Sequence, residues 1–199
     1  MKKMPCAFVR DFTNKQRPII TPELSPGLGW VASGDFVATV KWDGTACAVI
    51  GGVLHRRYDA KRGKTPPAIA IPCDTFPDHE TGHWPHWLPV GNDAQDKWHR
   101  LAWIAAGSKL HDGTYELCGP HFQANPHRLP DDVFIPHGKD IVRTENERAA
   151  NLEYWRDLMS DYPHEGVVLY EIAGGGRCKI RRADFGFAWP LADLDKGDA

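Results

Sequence analysis

Short apolar runs rich in β-branched residues are spaced along the chain, and glycine-rich turns separate several of them. Phe36–Lys41 and Thr45–Ile50 are two such runs, and Gly51-Gly52 leads into a third run, Val53–Tyr58. A two-glycine turn between such runs is typical of a β-hairpin. The same pattern predicts further strands over Thr114–Cys118, Val167–Ile172 and Arg177–Arg181.

Two amphipathic segments lie between these runs and predict helices. The first begins at the capping residue Asp93, continues to Ala106 and ends at Gly107. Thr144 opens the second, with Glu147 three residues later as a capping box, and Pro163 stops it.

Proline and glycine dominate the remaining segments. Residues 1–33 are interrupted by prolines and predict an irregular N-terminal lead-in, while residues 61–89 predict a long ordered loop of functional interest. We find no internal repeat and no linker, so we expect residues 1–199 to form a single domain.

Composition restricts the classes of partner. The formal net charge of −2 argues against nonspecific binding of nucleic acid over the whole surface. Basic residues nevertheless cluster, either as solvated faces or as local grooves, in Arg56, Arg57, Lys61, Arg62 and Lys64 and again in Lys179, Arg181 and Arg182. The 5 cysteines lack CxxC spacing and suit a reducing compartment. With no apolar run long enough to span a bilayer, we expect a cytoplasmic protein without a membrane partner.

Three motifs in a fixed order carry the candidate chemistry. Lys41-Trp42-Asp43-Gly44 ends a predicted strand, Glu165-Gly166-Val167-Val168 enters another, and Lys179-Ile180-Arg181 lies on the last. KxDG alone is a weak signal, because a surface lysine beside an Asp-Gly turn has the same pattern. A lysine followed in this order by a carboxylate and two cations is typical of covalent nucleotidyl transfer.

Through these motifs the chain resembles the covalent nucleotidyltransferase superfamily of ATP-dependent DNA ligases, RNA ligases and mRNA capping enzymes, with RNA ligases the closest match. The resemblance extends from Lys41 to about Phe185. It implies that Lys41 attacks the α-phosphorus of ATP to form lysyl-AMP, with Mg²⁺ or Mn²⁺ as cofactor. AMP then passes to an RNA 5′-phosphate, and a 3′-hydroxyl seals the strand, as in RNA repair.

The resemblance also implies roles for residues that bind the nucleotide. Asp43 positions Lys41 or a metal-bound water, and Gly44 lets the backbone turn close to the nucleotide. Glu116, in Gly113-Thr114-Tyr115-Glu116-Leu117, contacts the ribose hydroxyls. Arg56 or Arg57 contacts the ribose or a phosphate; the turn register leaves the choice open, with a slight preference for Arg56. Phe122 and Phe134 are candidates to stack on the base, although core packing is the simpler role for both.

Phosphate, metal and RNA contacts complete the implied site. Glu165 binds the catalytic metal, because Mg²⁺ requires oxygen ligands. Lys179 and Arg181 lie on one face of a strand and bind the α-phosphate, with arginine standing where the family usually has lysine. Lys61, Arg62 and Lys64 are candidates to guide the RNA backbone.

The implied fold is α+β, with antiparallel sheets forming a nucleotide cleft and helices packed outside, unrelated to the ATP-grasp fold. The short tail after Asp184-Phe185-Gly186 leads us to expect no C-terminal OB-fold domain. Two alternatives remain: a GTP-dependent capping-type guanylyltransferase, and a nucleic-acid-binding module without catalysis. A zinc protease is disfavoured, because the HExxH pattern at residues 79–83 needs a continuous helix and Gly82 interrupts it.

Overall fold

The computed structural model describes residues 4–13, 19–79 and 81–191 of the chain. Within these residues the strands are β1 (Phe8–Asp11), β2 (Ile19–Leu24), β3 (Phe36–Lys41), β4 (Thr45–Ile50), β5 (Val53–Ala60), β6 (Ile71–Pro72), β7 (Trp84–Pro89), β8 (Gly113–Cys118), β9 (Val133–Pro136), β10 (Gly166–Glu171) and β11 (Arg177–Arg181). The α-helices are α1 (Gly29–Ala32), α2 (Lys97–Ala106) and α3 (Leu152–Ser160). Every pair among these strands is antiparallel. The described residues thus confirm the prediction of a mixed α and β fold with antiparallel sheets.

The described residues form two compact units. The terminal unit contains Met4–Trp42 and the chain from Gly138 onward, and the central unit is Asp43–His137. Each unit has its own cluster of buried apolar side chains. A single domain stays a prediction for this chain.

The terminal unit contains a three-stranded sheet in the order β11-β10-β3, with β10 in the middle. Gly166 of β10 lies opposite Lys41 on one side and Arg181 on the other. Two residues along, Val168 lies opposite Thr39 and Lys179. Because paired residues point to the same face, the three cations share one face and the core-facing side chains occupy the other.

The described part of the lead-in predicted to be irregular, residues 4–13 and 19–33, contains regular secondary structure. β1 and β2 form an antiparallel hairpin, and α1 follows it. Phe8 and Val31 are buried in the core of the terminal unit. Pro22 lies inside β2, where a two-stranded sheet tolerates proline because the missing N–H can face away from the partner strand.

The boundary predicted for the last helix is also wrong. α3 begins at Leu152, and the Asn151 side chain caps it by accepting hydrogen bonds from the backbone N–H groups of Glu153 and Tyr154 at 2.9 and 3.4 Å. Thr144 instead donates its hydroxyl to Asn146 at 2.6 Å, before a short 3₁₀ turn over Asn146–Arg148. The helix ends at Ser160, ahead of Pro163 as expected.

The central unit contains a six-stranded sheet in the order β6-β7-β5-β4-β8-β9. α2 packs on the face that carries Cys47, Leu54 and Leu117. The first predicted helix is confirmed over Lys97–Ala106, but Asp93 makes no side-chain cap and a 3₁₀ turn occupies Ala94–Asp96.

Part of the segment predicted to be a loop is a strand, because β7 pairs with β5 along its whole length. At the HExxH pattern, His79 and Thr81 lie in a turn and Gly82 has φ +69°, while Glu80 lies outside the described residues. A continuous helix is therefore absent from the described part of this pattern. Among the described residues, no helix is long and apolar enough to cross a membrane.

Candidate functional site

Lys41 and Glu165 meet at one edge of the terminal-unit sheet. Lys41 is the last residue of β3, and Glu165 immediately precedes β10, whose first residue Gly166 pairs with Lys41. The Lys41 ammonium and the Glu165 carboxylate form an ion pair and are 21% and 12% exposed. The pairing of the two strands therefore brings together the lysine and the carboxylate that the motifs predicted.

Gly166 makes this close arrangement possible. A Cβ at this position would lie 2.7 Å from the Arg181 Cα and closer still to the Ile180 carbonyl oxygen. Only glycine leaves room for β11 to approach the strand that begins beside Glu165.

Lys179 lies on the same face as Lys41, one row further along the sheet. Burial lowers the pKa of Lys179, and the charges of Lys41 and Arg10 act in the same direction, while Cys6 and Glu165 oppose them. Its backbone is also fixed, because the Lys179 N–H donates to the Pro5 carbonyl at 3.0 Å. The amine of Lys179 is thus held in a crowded, partly desolvated position.

Arg181 shares that face, and its guanidinium is directed at Asp184. Arg181 Nη2 lies 3.0 Å from Asp184 Oδ1, and the Arg181 backbone N–H donates to Oδ2 at 3.0 Å. Arg10 forms a second ion pair with the same carboxylate, which is 5% exposed. Burial raises the pKa of Asp184, while the charges of Arg10, Lys179 and Lys41 lower it.

Arg182, the next residue of this basic cluster, has a structural role. It is 5% exposed, and its guanidinium donates to the carbonyls of Tyr162 at 2.8 Å and Ala188 at 3.0 Å. It also donates to Met159 and Ser160 at the end of α3. Arg182 therefore belongs to the core of the terminal unit and not to its charged face.

The residues next to Lys41 and Glu165 also contact each other. Trp42 Nε1 donates to Asp140 Oδ2 at 2.7 Å, and the rings of Trp42 and His164 have centroids 4.9 Å apart. Burial lowers the pKa of His164, and Asp140 opposes that shift. These contacts hold the two chain segments together beyond the last pair of the β3–β10 ladder.

A second group of predicted residues lies within the central unit. The Gly44 N–H donates to Glu116 Oε1 at 3.0 Å, and Glu116 Oε2 lies 2.9 Å from His137 Nε2. The Asp43 N–H donates to His127 Nε2 at 2.9 Å. Gly44 and Glu116 were predicted from the motifs and contact each other. His127 and His137 were not predicted, because no pattern links them to the motifs along the chain.

The structure separates the two candidate arginines. Arg56 lies on the sheet face covered by α2, where its Nε donates to the buried Asp96 at 2.7 Å. Arg57 lies on the opposite face, which it shares with Glu116, and its Nε donates to Asp59 at 2.7 Å. The structure thus places Arg57, and not Arg56, on the sheet face of Glu116, while the slight preference for Arg56 as a nucleotide contact stays a prediction.

The remaining candidate residues lie either in the core of the central unit or on its surface. Phe122 is 6% exposed in the core of the central unit, and Phe134 packs against the same cluster. Lys61, Arg62 and Lys64 are exposed in the segment between β5 and β6, which suits either a solvated surface or contact with RNA.

The donor set fits a metal ion that arrives with a nucleotide. Across the described part of the chain, no cluster of three or more His, Cys, Asp or Glu side chains could hold a metal ion. Mg²⁺ in nucleotide sites is commonly held by one or two carboxylates together with phosphate oxygens. Glu165, the carboxylate beside Lys41, meets this smaller requirement.

Scans against protein families and against curated proteins find no match for this chain. The motifs and the geometry of the two units are therefore the support for a functional assignment.

Proposed function

We propose that this protein is an ATP-dependent RNA ligase that forms a covalent lysyl-AMP at Lys41. The observation that carries the proposal is the ion pair between Lys41 and Glu165 on a sheet edge that also presents Lys179. A nucleophilic lysine beside a carboxylate and a second cation supplies the groups that nucleotidyl transfer requires.

In the first step, the Lys41 nitrogen forms a bond to the α-phosphorus of ATP, and the bond from that phosphorus to the pyrophosphate oxygen breaks. The amine must first lose its proton to water, and the positive charge of Lys179 on the same sheet face favours the unprotonated amine. Pyrophosphate leaves with the electron pair of the broken bond. Lys179 stabilises the negative charge that develops on the α-phosphate.

A bound Mg²⁺ or Mn²⁺ neutralises triphosphate charge in such sites, and Glu165 is the residue that would hold it. Among the residues of the central unit, the resemblance implies that Glu116 contacts the ribose hydroxyls. It implies that an arginine contacts the ribose or a phosphate, and Arg57 is the candidate on the sheet face of Glu116. Glu116 already orders the Gly44 N–H two residues after Trp42. Transfer of AMP to an RNA 5′-phosphate and sealing by a 3′-hydroxyl follow from the resemblance.

Intact-mass spectrometry after mixing the protein with ATP and Mg²⁺ tests the first step. We expect the wild type to gain the mass of AMP and Lys41→Arg to gain none. Lys109→Arg is the matched control, because Lys109 is an exposed lysine outside the motifs, and it should retain the adduct. A wild-type protein that never gains the mass while still binding RNA would favour the non-catalytic module.

Labelled nucleotides and RNA substrates test the remainder of the assignment. Incubation with α-labelled ATP or GTP, followed by a denaturing gel, should label the protein from ATP. Label from GTP alone would favour the capping-type enzyme. RNA ends carrying a 5′-phosphate and a 3′-hydroxyl should be joined, and strands lacking the 5′-phosphate should not be joined.

A further inference from the structure

Arg10 lies on β1, more than 30 residues before the first motif in the sequence, yet its side chain lies at the charged face of the terminal unit. The pairing of β1 with β2 is irregular between Phe8 and Arg10, as in a β-bulge. Bulges re-aim side chains, and here Phe8 is buried in the core while Arg10 pairs with Asp184. Arg10 therefore belongs to the same charged cluster as Lys41 and Lys179.

The cluster carries more positive than negative groups. Among the residues that the structure describes, the ion pairs of Arg10, Lys41 and Arg181 use two carboxylates, Glu165 and Asp184, and Lys179 adds a fourth cation to the cluster. Asp184 contacts two guanidinium groups and can neutralise only one of them. Uncompensated positive charge in a partly buried cluster is costly unless an anion binds there.

The two guanidinium groups also remain accessible. The side chains of Arg10 and Arg181 are 23% and 24% exposed, whereas Asp184 beneath them is 5% exposed. Guanidinium groups fixed by a carboxylate retain further N–H donors in a planar arrangement that matches phosphate oxygens. Two guanidinium groups therefore offer a phosphate group more hydrogen-bond donors than a single lysine ammonium would.

We propose that Arg10 is a further phosphate-binding residue of this site, and that Asp184 is a positioning residue that orients Arg10 and Arg181. The inference rests on the proposed function and deepens it. The phosphate comes either from the β- and γ-positions of the nucleotide or from the 5′ end of the RNA.

Separate assays of the first and last steps distinguish these sources. If Arg10 binds the triphosphate, Arg10→Gln raises the KM for ATP in adduct formation at least about tenfold, with a smaller change in kcat, and sealing of pre-adenylated RNA is unchanged. If Arg10 binds the RNA phosphate, the sealing step is slowed instead and the KM for ATP is unchanged. Either outcome supports phosphate binding.

Conservative variants separate binding from a purely structural role. Arg10→Lys keeps the charge and should recover part of the lost activity, and Asp184→Asn should reproduce the direction of the Arg10→Gln effect. Arg148→Gln is the matched control, because Arg148 forms an exposed ion pair with Glu145, and both steps should be unaffected. If Arg10→Gln is too unstable to assay, Arg10→Lys replaces it in both assays, and a wild-type KM for ATP together with a wild-type sealing rate in Arg10→Lys overturns the proposal.

Failure of this inference and failure of the proposed function give different results. An active wild type whose Arg10→Gln variant adenylylates and seals at normal rates overturns only the role of Arg10. A wild type that forms no lysyl-AMP overturns the proposed function itself.

Discussion

Gly166 is the residue at which the spacing between two functional strands is set. A methyl group there would collide with the backbone of Ile180 and Arg181, so β10 and β11 would have to separate. We expect Gly166→Ala to lower the free energy of unfolding by about 2 kcal/mol, as for an overpacked core site. The yield of AMP adduct should also fall in protein that is still folded, because Lys179 would move away from Lys41.

Thermal unfolding and the mass of the AMP adduct measure these two effects. Gly29→Ala is the control, because a Cβ at Gly29 meets no atom within 4 Å of the described structure. Equal stability and equal adduct yield in Gly166→Ala and Gly29→Ala would show that the strand spacing is unimportant.

His99 makes stability depend on pH. It is 9% exposed and lies against Phe122 in the central unit, and neither ring nitrogen has a hydrogen-bond partner among the described residues. Burial lowers its pKa from the ordinary value of 6.5; Arg56 acts in the same direction, and Asp96 and Asp132 oppose them. The unfolded chain therefore binds a proton at a higher pH than the folded protein does.

Because the folded pKa is depressed, the contribution of His99 to stability is complete above the ordinary pKa and is lost as the pH falls below it. The loss should approach about 1.4 kcal/mol per pH unit between the two pKa values. Urea unfolding at about pH 7.5 and about pH 5.5 should show a smaller decrease for His99→Leu than for wild type. The exposed His111→Gln should keep the wild-type dependence; a His99→Leu curve that follows wild type would refute this explanation.

At the residue scale, sequence reasoning could find the residues that lie within strand motifs. Lys41, Glu165 and Lys179 were predictable because each sits at a strand position that alternation and motif order define. Arg10 was not predictable, because it pairs with Asp184 across 174 residues. No local pattern reports a contact of that separation.

At the scale of elements, the N-terminal cap of α3 can be tested directly. The Asn151 side chain accepts hydrogen bonds from two backbone N–H groups of the first turn. Asn151→Ala should therefore lower the free energy of unfolding by about 1 kcal/mol. Glu147→Ala should change it by less than about 0.5 kcal/mol, because that exposed side chain lies in the preceding 3₁₀ turn. Chemical denaturation of both variants measures the difference; a larger effect at Glu147 would restore the capping box predicted from the sequence.

Strands bounded by glycine turns were predicted with correct limits, as in β3 and β4, because their alternation and turns are local. β2 and β7 were missed because Pro22 and Pro85 lie inside them. Their strand conformation depends on pairing with β1 and β5, respectively, which the sequence pattern does not report. The start of α3 was missed because both Thr144 and Asn151 are possible capping residues. Thr144 bonds to Asn146 instead of capping a helix, so α3 begins after Asn151.

At the scale of the whole molecule, the two units differ in how their chain is assembled. Among the residues that the structure describes, the central unit comes from the single stretch Asp43–His137, whereas the terminal unit combines two stretches of chain. The buried cluster of the terminal unit includes Phe8, Trp155 and Leu169, and that of the central unit includes Cys47 and Leu117. A unit with its own core can in principle fold alone.

The terminal unit should therefore fold without the central unit. Its two segments lie close together, because the Val40 N–H donates to the Asp140 carbonyl at 2.8 Å. A linker of about four glycine and serine residues between Trp42 and Gly138 should close the shortened chain. We expect one cooperative thermal transition by circular dichroism. Trp155→Ala, which empties a fully buried position, should remove about 3–5 kcal/mol and abolish that transition, whereas the exposed Asp157→Ala should preserve it. A shortened chain without cooperative unfolding would instead support the single domain predicted from the sequence, because the two cores would then depend on each other to fold.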